Sequence, residues 1–119
     1  MTTAPSELER LLRSCALGTW SWLDGRVAWD ETLRVLYDVA EAPSDYEAYL
    51  QCVHPEDREA VDANIQRFVR EGRYEDIEHR VVLSDGRIRW LFARGLAVFH
   101  DDGRLRGLRG IALDISDLK

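Results

Sequence analysis

The tripeptide Asp-Gly-Arg occurs three times, at Asp24-Gly25-Arg26, Asp85-Gly86-Arg87 and Asp102-Gly103-Arg104. Asp-Gly between apolar-rich runs signals a tight chain reversal, because glycine takes the positive φ that hairpin turns demand. The flanking runs read as strands: TWSWL and RVAWD around the first turn, YEDIEHRVVL and RIRWLFARGLAVF around the second, RLRGLRGIALDI after the third. The strands on either side differ, so this is turn chemistry used three times and not a sequence repeat. Five strands joined by three reversals predict an antiparallel sheet.

Between the second and third strands the pattern changes to helix. Asp30 is a candidate N-cap for a helix carrying Leu33, Leu36 and Tyr37. Pro43 interrupts, and Ser44 with Glu47 forms a capping box before a helix whose face holds Tyr46, Tyr49, Leu50 and Val53. Pro55 suits the first turn of the next helix, Glu56 and Asp57 favour its dipole, and Val61, Ile65, Phe68 and Val69 give it an inward stripe ending at Gly72. At the N-terminus, Ser6 and Glu9 make another capping box, followed by the apolar stripe Leu8, Leu11, Leu12, Cys15. The expected fold class is α+β: a five-stranded antiparallel sheet, short helices on one face, and an N-terminal amphipathic helix.

Composition sets the functional bounds. A chain of 119 residues, 45% apolar and 32% charged, suits one globular domain with one core. Sixteen Lys and Arg against 22 Asp and Glu give a net charge of −6, which argues against nucleic acid and anionic membrane as partners. No apolar run reaches membrane-spanning length, and the start MTTAPSELER lacks the features of a signal peptide, so the expected location is the cytoplasm. Cys15 and Cys52 lack zinc or redox spacing and are read as free thiols.

The order of elements, with GTWSWLDGRVAWDE, VHPEDR, RVVLSDGRIRWLFARG and GIALDIS in sequence, resembles a PAS domain of the bacterial subtype with a PAC-type C-terminal half. The family's closing strand ends in Asp-Ile-Thr; here Ser116 stands at the last position. The division that follows is residues 1–17 as N-terminal helix and linker and 18–119 as a single PAS domain. The resemblance implies a sensor or signal-input domain and no catalysis of its own. It implies an output domain, such as a histidine kinase or a cyclic-di-GMP enzyme, further along a longer protein. It also implies a homodimer paired through the N-terminal helix and the outer sheet face, with Leu8, Leu11 and Leu12 or a second copy covering Trp90 and Phe92. Signal output falls to Asp114, Ile115 and Ser116.

The histidines and Cys52 are the candidates for chemistry. His54, Glu56 and Asp57 look like metal ligands, but His54 precedes the helix and adjacent carboxylates diverge, so a structural joint is the expectation and no metal is assigned. A flavin adduct is disfavoured because the neighbours of Cys52 do not match the photosensory motif. Haem is disfavoured because no His lies between Arg58 and Gly72; the cofactor, if any, is unknown. His79 interrupts an apolar strand side shared with Ile77, Val81 and Leu83. It reads as a hydrogen-bonded core histidine or as a polar handle in a pocket. His100, near a turn, is expected to be exposed. On the fourth strand Leu91, Ala93, Gly95 and Ala97 form a small-residue face toward the helices, opposite Ile88, Trp90 and Phe92. The expected ligand pocket is Leu50, Ile65, Ile77, His79, Val81, Leu91, Ala93 and Gly95. Trp20 and Trp22 share a face of undetermined direction. Two alternatives to a ligand sensor remain: a protein-interaction domain with a collapsed core, and a small enzyme pairing His79 with Asp114.

Overall fold

The computed structural model describes residues 17–119. The expected N-terminal helix, with Leu8, Leu11, Leu12 and Cys15, lies outside these residues. Five strands form one antiparallel sheet: β1 (Leu17–Leu23), β2 (Arg26–Trp29), β3 (Ile77–Val82), β4 (Ile88–Phe99) and β5 (Leu105–Asp114). Their spatial order is β2-β1-β5-β4-β3, so the last strand lies at the centre and joins the two hairpins into one sheet. Three helices connect β2 to β3: α1 (Glu31–Tyr37), α2 (Tyr46–Cys52) and α3 (Arg58–Glu71). The expected α+β architecture, a five-stranded antiparallel sheet with short helices, is observed.

The three Asp-Gly-Arg turns are of two kinds. Asp24 and Gly25 both have positive φ, 52° and 79°, as a two-residue hairpin loop of the primed type requires. The other two share a different construction. Gly86 and Gly103, at φ 89° and 90°, follow a turn closed by Gly86 N–H to the Leu83 carbonyl and by Gly103 N–H to the His100 carbonyl. In each, the Asp carboxylate accepts from the backbone N–H and the guanidinium Nε of the following Arg: Asp85 from Arg87, Asp102 from Arg104. The Asp24 carboxylate instead accepts from Arg106, on β5, at 2.9 Å.

Helix starts follow local polar chemistry. Asp30 caps α1 by accepting from Leu33 N–H at 2.8 Å. The cap of α2 is Asp45, not Ser44: its carboxylate accepts from Ala48 N–H at 2.8 Å. A carboxylate caps as well as a hydroxyl and adds charge complementarity to the dipole, so the neighbouring Asp takes the position. Pro55 opens a 3-10 turn over Pro55–Asp57, and α3 proper begins one residue later. The segment VHPEDR is a joint. His54 N–H donates to the Arg80 carbonyl, while Asp57 accepts from the Arg80 backbone N–H and guanidinium at 2.7 and 2.8 Å. The hydrogen bonds from Arg80 hold the Asp57 carboxyl below its ordinary value. This ties the start of α3 to the middle of β3.

The core lies between the helices and one sheet face. Leu33, Leu36 and Tyr37 of α1 pack with Val81, Leu91 and Ala112 of the sheet. Val61 and Phe68 of α3 are buried, as is Asn64, which the apolar stripe did not include. Asn64 holds the chain after α3, bonding both the N–H and the carbonyl of Glu75.

Candidate functional site

A cavity of about 390 Å³ opens between the β1–β2 end of the sheet and the helices. Its floor is the inner face of β1 and β2, where Trp20 stands opposite Trp29 and Trp22 opposite Val27. Its walls are Leu33 and Tyr37 of α1, Tyr46 and Tyr49 of α2, and Ile65 and Val69 of α3. Tyr74 closes the far side, and the segment Pro43–Asp45 forms part of the rim. All four tyrosines of the chain and three of its four tryptophans line this one space, and none of its three phenylalanines does.

The rings form two groups. Trp29, Tyr37 and Tyr49 are mutually packed, with centroids 4.8 to 6.1 Å apart. Trp20 and Tyr74 pair across 5.8 Å. Trp20 lies flat on β4 and β5 because Gly95 and Gly110, cross-strand partners, leave a slot there. A Cβ at Gly110 would stand 2.5 Å from the indole, and one at Gly95 would stand 3.0 Å from it. Glycine is required at Gly110 by this close approach.

One polar relay leads from the cavity wall into the core. The Tyr37 hydroxyl lies 2.7 Å from His79 Nε2 and 3.4 Å from the Tyr49 hydroxyl. His79 is 1% exposed, and its Nδ1 has no hydrogen-bond partner among the described residues. Burial pushes the imidazole down to about 4, so it is neutral at physiological pH. A buried orphan N–H is rarer than a buried orphan lone pair, so we assign the proton to Nε2, donating to Tyr37. The Tyr37 hydroxyl proton is then free to donate to Tyr49 or to a guest in the cavity. Burial raises the Tyr37 phenol well above its ordinary value and the Tyr49 phenol to about 12, so both stay protonated.

The residues named from sequence fall as follows. Ile65 and Ala93 are on the cavity wall. Gly95 is under the Trp20 ring, and His79 is behind Tyr37. Leu91 and Val81 are fully buried beside His79. Ile77 is half-buried opposite Ala93, and Leu50 is half-buried on α2. Trp90 and Phe92 are on the outer face and half-buried. Arg80 and Lys119 stack on Trp90 at 5.3 and 4.7 Å, and Arg94 stacks on Phe92 at 5.7 Å. Asp114 pairs with Arg89 at 3.5 Å and accepts from Ser116 N–H. Ile115 N–H donates to the Trp90 carbonyl, and Trp90 N–H donates to Ser116 Oγ, locking the chain end to β4.

An acid/base pair of His79 with Asp114 does not form. Leu91 stands between them in register, which separates the two backbones by two strand spacings, about 10 Å. His79 is sealed, and the Asp114 carboxylate is held by Arg89. None of the three histidines lines the cavity. His54 accepts from Glu56 N–H, His79 is bound to Tyr37, and His100 sits 3.2 Å from Asp24. Among these side chains, none is placed to ligate haem iron in this space. Cys52 donates weakly to the Ala48 carbonyl and is not on the cavity wall.

The aromatic residues Trp20, Trp22, Trp29, Tyr37, Tyr49 and Tyr74 were not named as a site by the sequence reading. The face of β1 depends on its pairing with β5, a contact between residues about ninety positions apart that periodicity does not carry.

Comparison with known proteins agrees with this architecture. Residues 26–112 match the family described as PAS fold. Sensor protein FixL of Bradyrhizobium diazoefficiens is 33% identical over 107 residues, covering 87% of this chain and 21% of FixL. The probable diguanylate cyclase DgcE of Escherichia coli is 27% identical over 106 residues, covering 87% of this chain and 10% of DgcE. The chain thus spans about a fifth of the first relative's length and a tenth of the second's. Among solved structures, a sensory box histidine kinase/response regulator from Burkholderia thailandensis superposes with a TM-score of 0.70 at 22% identity, covering 94% of this chain and 86% of that one. With the five-stranded sheet, its strand order and the helical layer on one face, the chain belongs to the PAS fold family.

Proposed function

We propose that this PAS domain, residues 18–119, is the sensory input of a signalling protein, and that its stimulus is a small molecule held in the aromatic cavity. The supporting observation is the cavity itself. At about 390 Å³ it falls in the range of small-molecule sites, and it is walled by apolar rings with a few convergent hydroxyls. The output domain would be a histidine kinase or a cyclic-di-GMP enzyme, and the chemistry would reside there. The cytoplasm is the proposed location; among the described residues no helix is long and apolar enough to cross a membrane.

Coupling to output follows from Arg89. Its guanidinium donates to the Val35 and Leu36 carbonyls at the end of α1, next to Tyr37, and reaches Asp114 at the end of β5. A ligand that moves Tyr37 shifts α1 and loads this contact. The chain end at Asp114, Ile115 and Ser116 then redistributes between two arrangements according to the ligand's affinity for each. The test is native mass spectrometry and an absorption spectrum of the gently purified protein. A retained small molecule supports the reading; a protein that neither retains nor takes up any ligand contradicts it.

A second copy of the chain is the proposed partner. The outer sheet face carries Trp90, Phe92 and Leu96, the last 68% exposed, and this face is where the pair would meet.

A further inference from the structure

We propose that the guest of the aromatic cavity is a small organic cation, a methylated ammonium or a protonated amine. This rests on the reading of the cavity as a ligand site and adds the ligand's charge.

The chain stacks its own cations on the opposite face of the sheet. On the outer sheet face, Trp90 carries Arg80 and Lys119 over its ring, and Phe92 carries Arg94. On the inner face Trp20, Trp29, Tyr37, Tyr49 and Tyr74 meet around the cavity, and among the described residues no Lys, Arg or His lines it. Trp and Tyr present the more electron-rich faces, and the cavity collects these to the exclusion of Phe. The one charged lining residue is acidic: Asp45, at the rim. One oxygen of its carboxylate caps α2 by accepting from Ala48 N–H. Among the described residues, a hydrophobic anion or a phosphate would find no cation on the cavity lining to receive it. A cation finds ring faces below and a carboxylate at the entrance, in a protein of net charge −6. Partial desolvation in the cavity strengthens the attraction to the rings. The volume suits a small head group and a short arm.

The test compares two probes of one shape. Choline and 3,3-dimethylbutan-1-ol differ by the exchange of a charged nitrogen for carbon. Binding to the full chain is followed by calorimetry and tryptophan fluorescence at matched ionic strength. Choline should bind at least about tenfold tighter than the neutral alcohol. Asp45→Asn, which retains an N-cap side chain, should weaken choline several-fold and leave the alcohol unchanged. Equal binding of the two probes, or binding of the alcohol alone, overturns the cation and leaves the ligand pocket standing. A choline preference that survives intact in Asp45→Asn places the cation elsewhere and also overturns the proposal. If neither probe binds up to tens of millimolar, the cation proposal is overturned, while the pocket reading stands or falls on its own test of ligand retention.

Discussion

The Tyr37 hydroxyl stands 2.7 Å from His79 Nε2, and it supplies the only hydrogen bond described for that fully buried imidazole. Tyr37→Phe therefore strands a second buried nitrogen at no gain in packing. The expected cost is about 1–3 kcal/mol, read as a lower urea midpoint with an unchanged slope. Tyr49→Phe, which loses only a long contact of 3.4 Å to the Tyr37 hydroxyl, should cost less than half as much. Equal costs for the two would remove the special role of the Tyr37–His79 bond.

The same imidazole sets an acid limit. Burial lowers His79 from 6.5 to about 4, so between these values the unfolded chain takes up a proton that the folded chain refuses. Stability from this group is fully present above pH 6.5 and is lost as pH falls toward about 4, to a total of roughly 3 kcal/mol. Asp57, lowered by its Arg80 hydrogen bonds, contributes stability above the unfolded carboxylate value that is lost at still lower pH. In His79→Leu the slope between pH 6.5 and about 4 should flatten while the steeper acid loss remains. An unaltered profile would show that His79 titrates freely.

Trp20 depends on its glycine slot. Gly110→Ala puts a methyl 2.1 Å from the Arg94 carbonyl oxygen and 2.5 Å from the indole, and neither can retreat without moving β4 or the ring. A loss of about 3 kcal/mol or more is expected. Gly95→Ala meets only the ring, at 3.0 Å, and a Leu108 methyl at 3.2 Å. It should cost less, but it should tilt Trp20 into the cavity, shift its fluorescence and weaken any ligand. Chemical denaturation of both variants orders the costs; the reverse order would contradict the packing.

Asp57 is the centre of the VHPEDR joint. Asp57→Ala removes the acceptor for both the Arg80 backbone N–H and its guanidinium, and a loss of about 2 kcal/mol is expected in thermal or urea unfolding. Glu56→Ala, whose single contact to Arg80 is 3.3 Å and exposed, should be near neutral. If Glu56→Ala proves the more damaging, the joint is built otherwise.

The proposed pairing through the outer face makes Leu96 decisive, since this β4 residue is 68% exposed. Leu96→Glu should convert a dimer to a monomer in solution mass measurements without lowering the monomer's thermal stability. A wild-type chain that is already monomeric at high concentration would contradict this partner.

Elements bounded by local chemistry were legible in the sequence. The Asp-Gly pairs located all three hairpins, and the Asp30 cap and the Gly72 stop located two helix ends. The Asp45 cap was missed by one residue because Ser44 and Glu47 satisfy the same motif. Of the site, Ile65 and Ala93 were legible, since each lies on the inward face of an element with clear periodicity. The aromatic box was not. The direction of Trp20 and Trp22 is fixed only when β1 pairs with β5, and Tyr74 lies between elements where no period operates. Asn64 was hidden because a buried amide looks like a surface residue until its Glu75 backbone partner is in place.

The central claim is that a small molecule enters the space between β1–β2 and the helices. The four indole N–H groups test it directly, since Trp20, Trp22 and Trp29 line that space and Trp90 is on the opposite face. Nitrogen-15-labelled protein is titrated with choline, with 3,3-dimethylbutan-1-ol and with indole. At least one probe is expected to shift the three cavity indoles saturably and together, leaving Trp90 unmoved. Shifts confined to Trp90, or no saturable shift from any probe, would contradict the account.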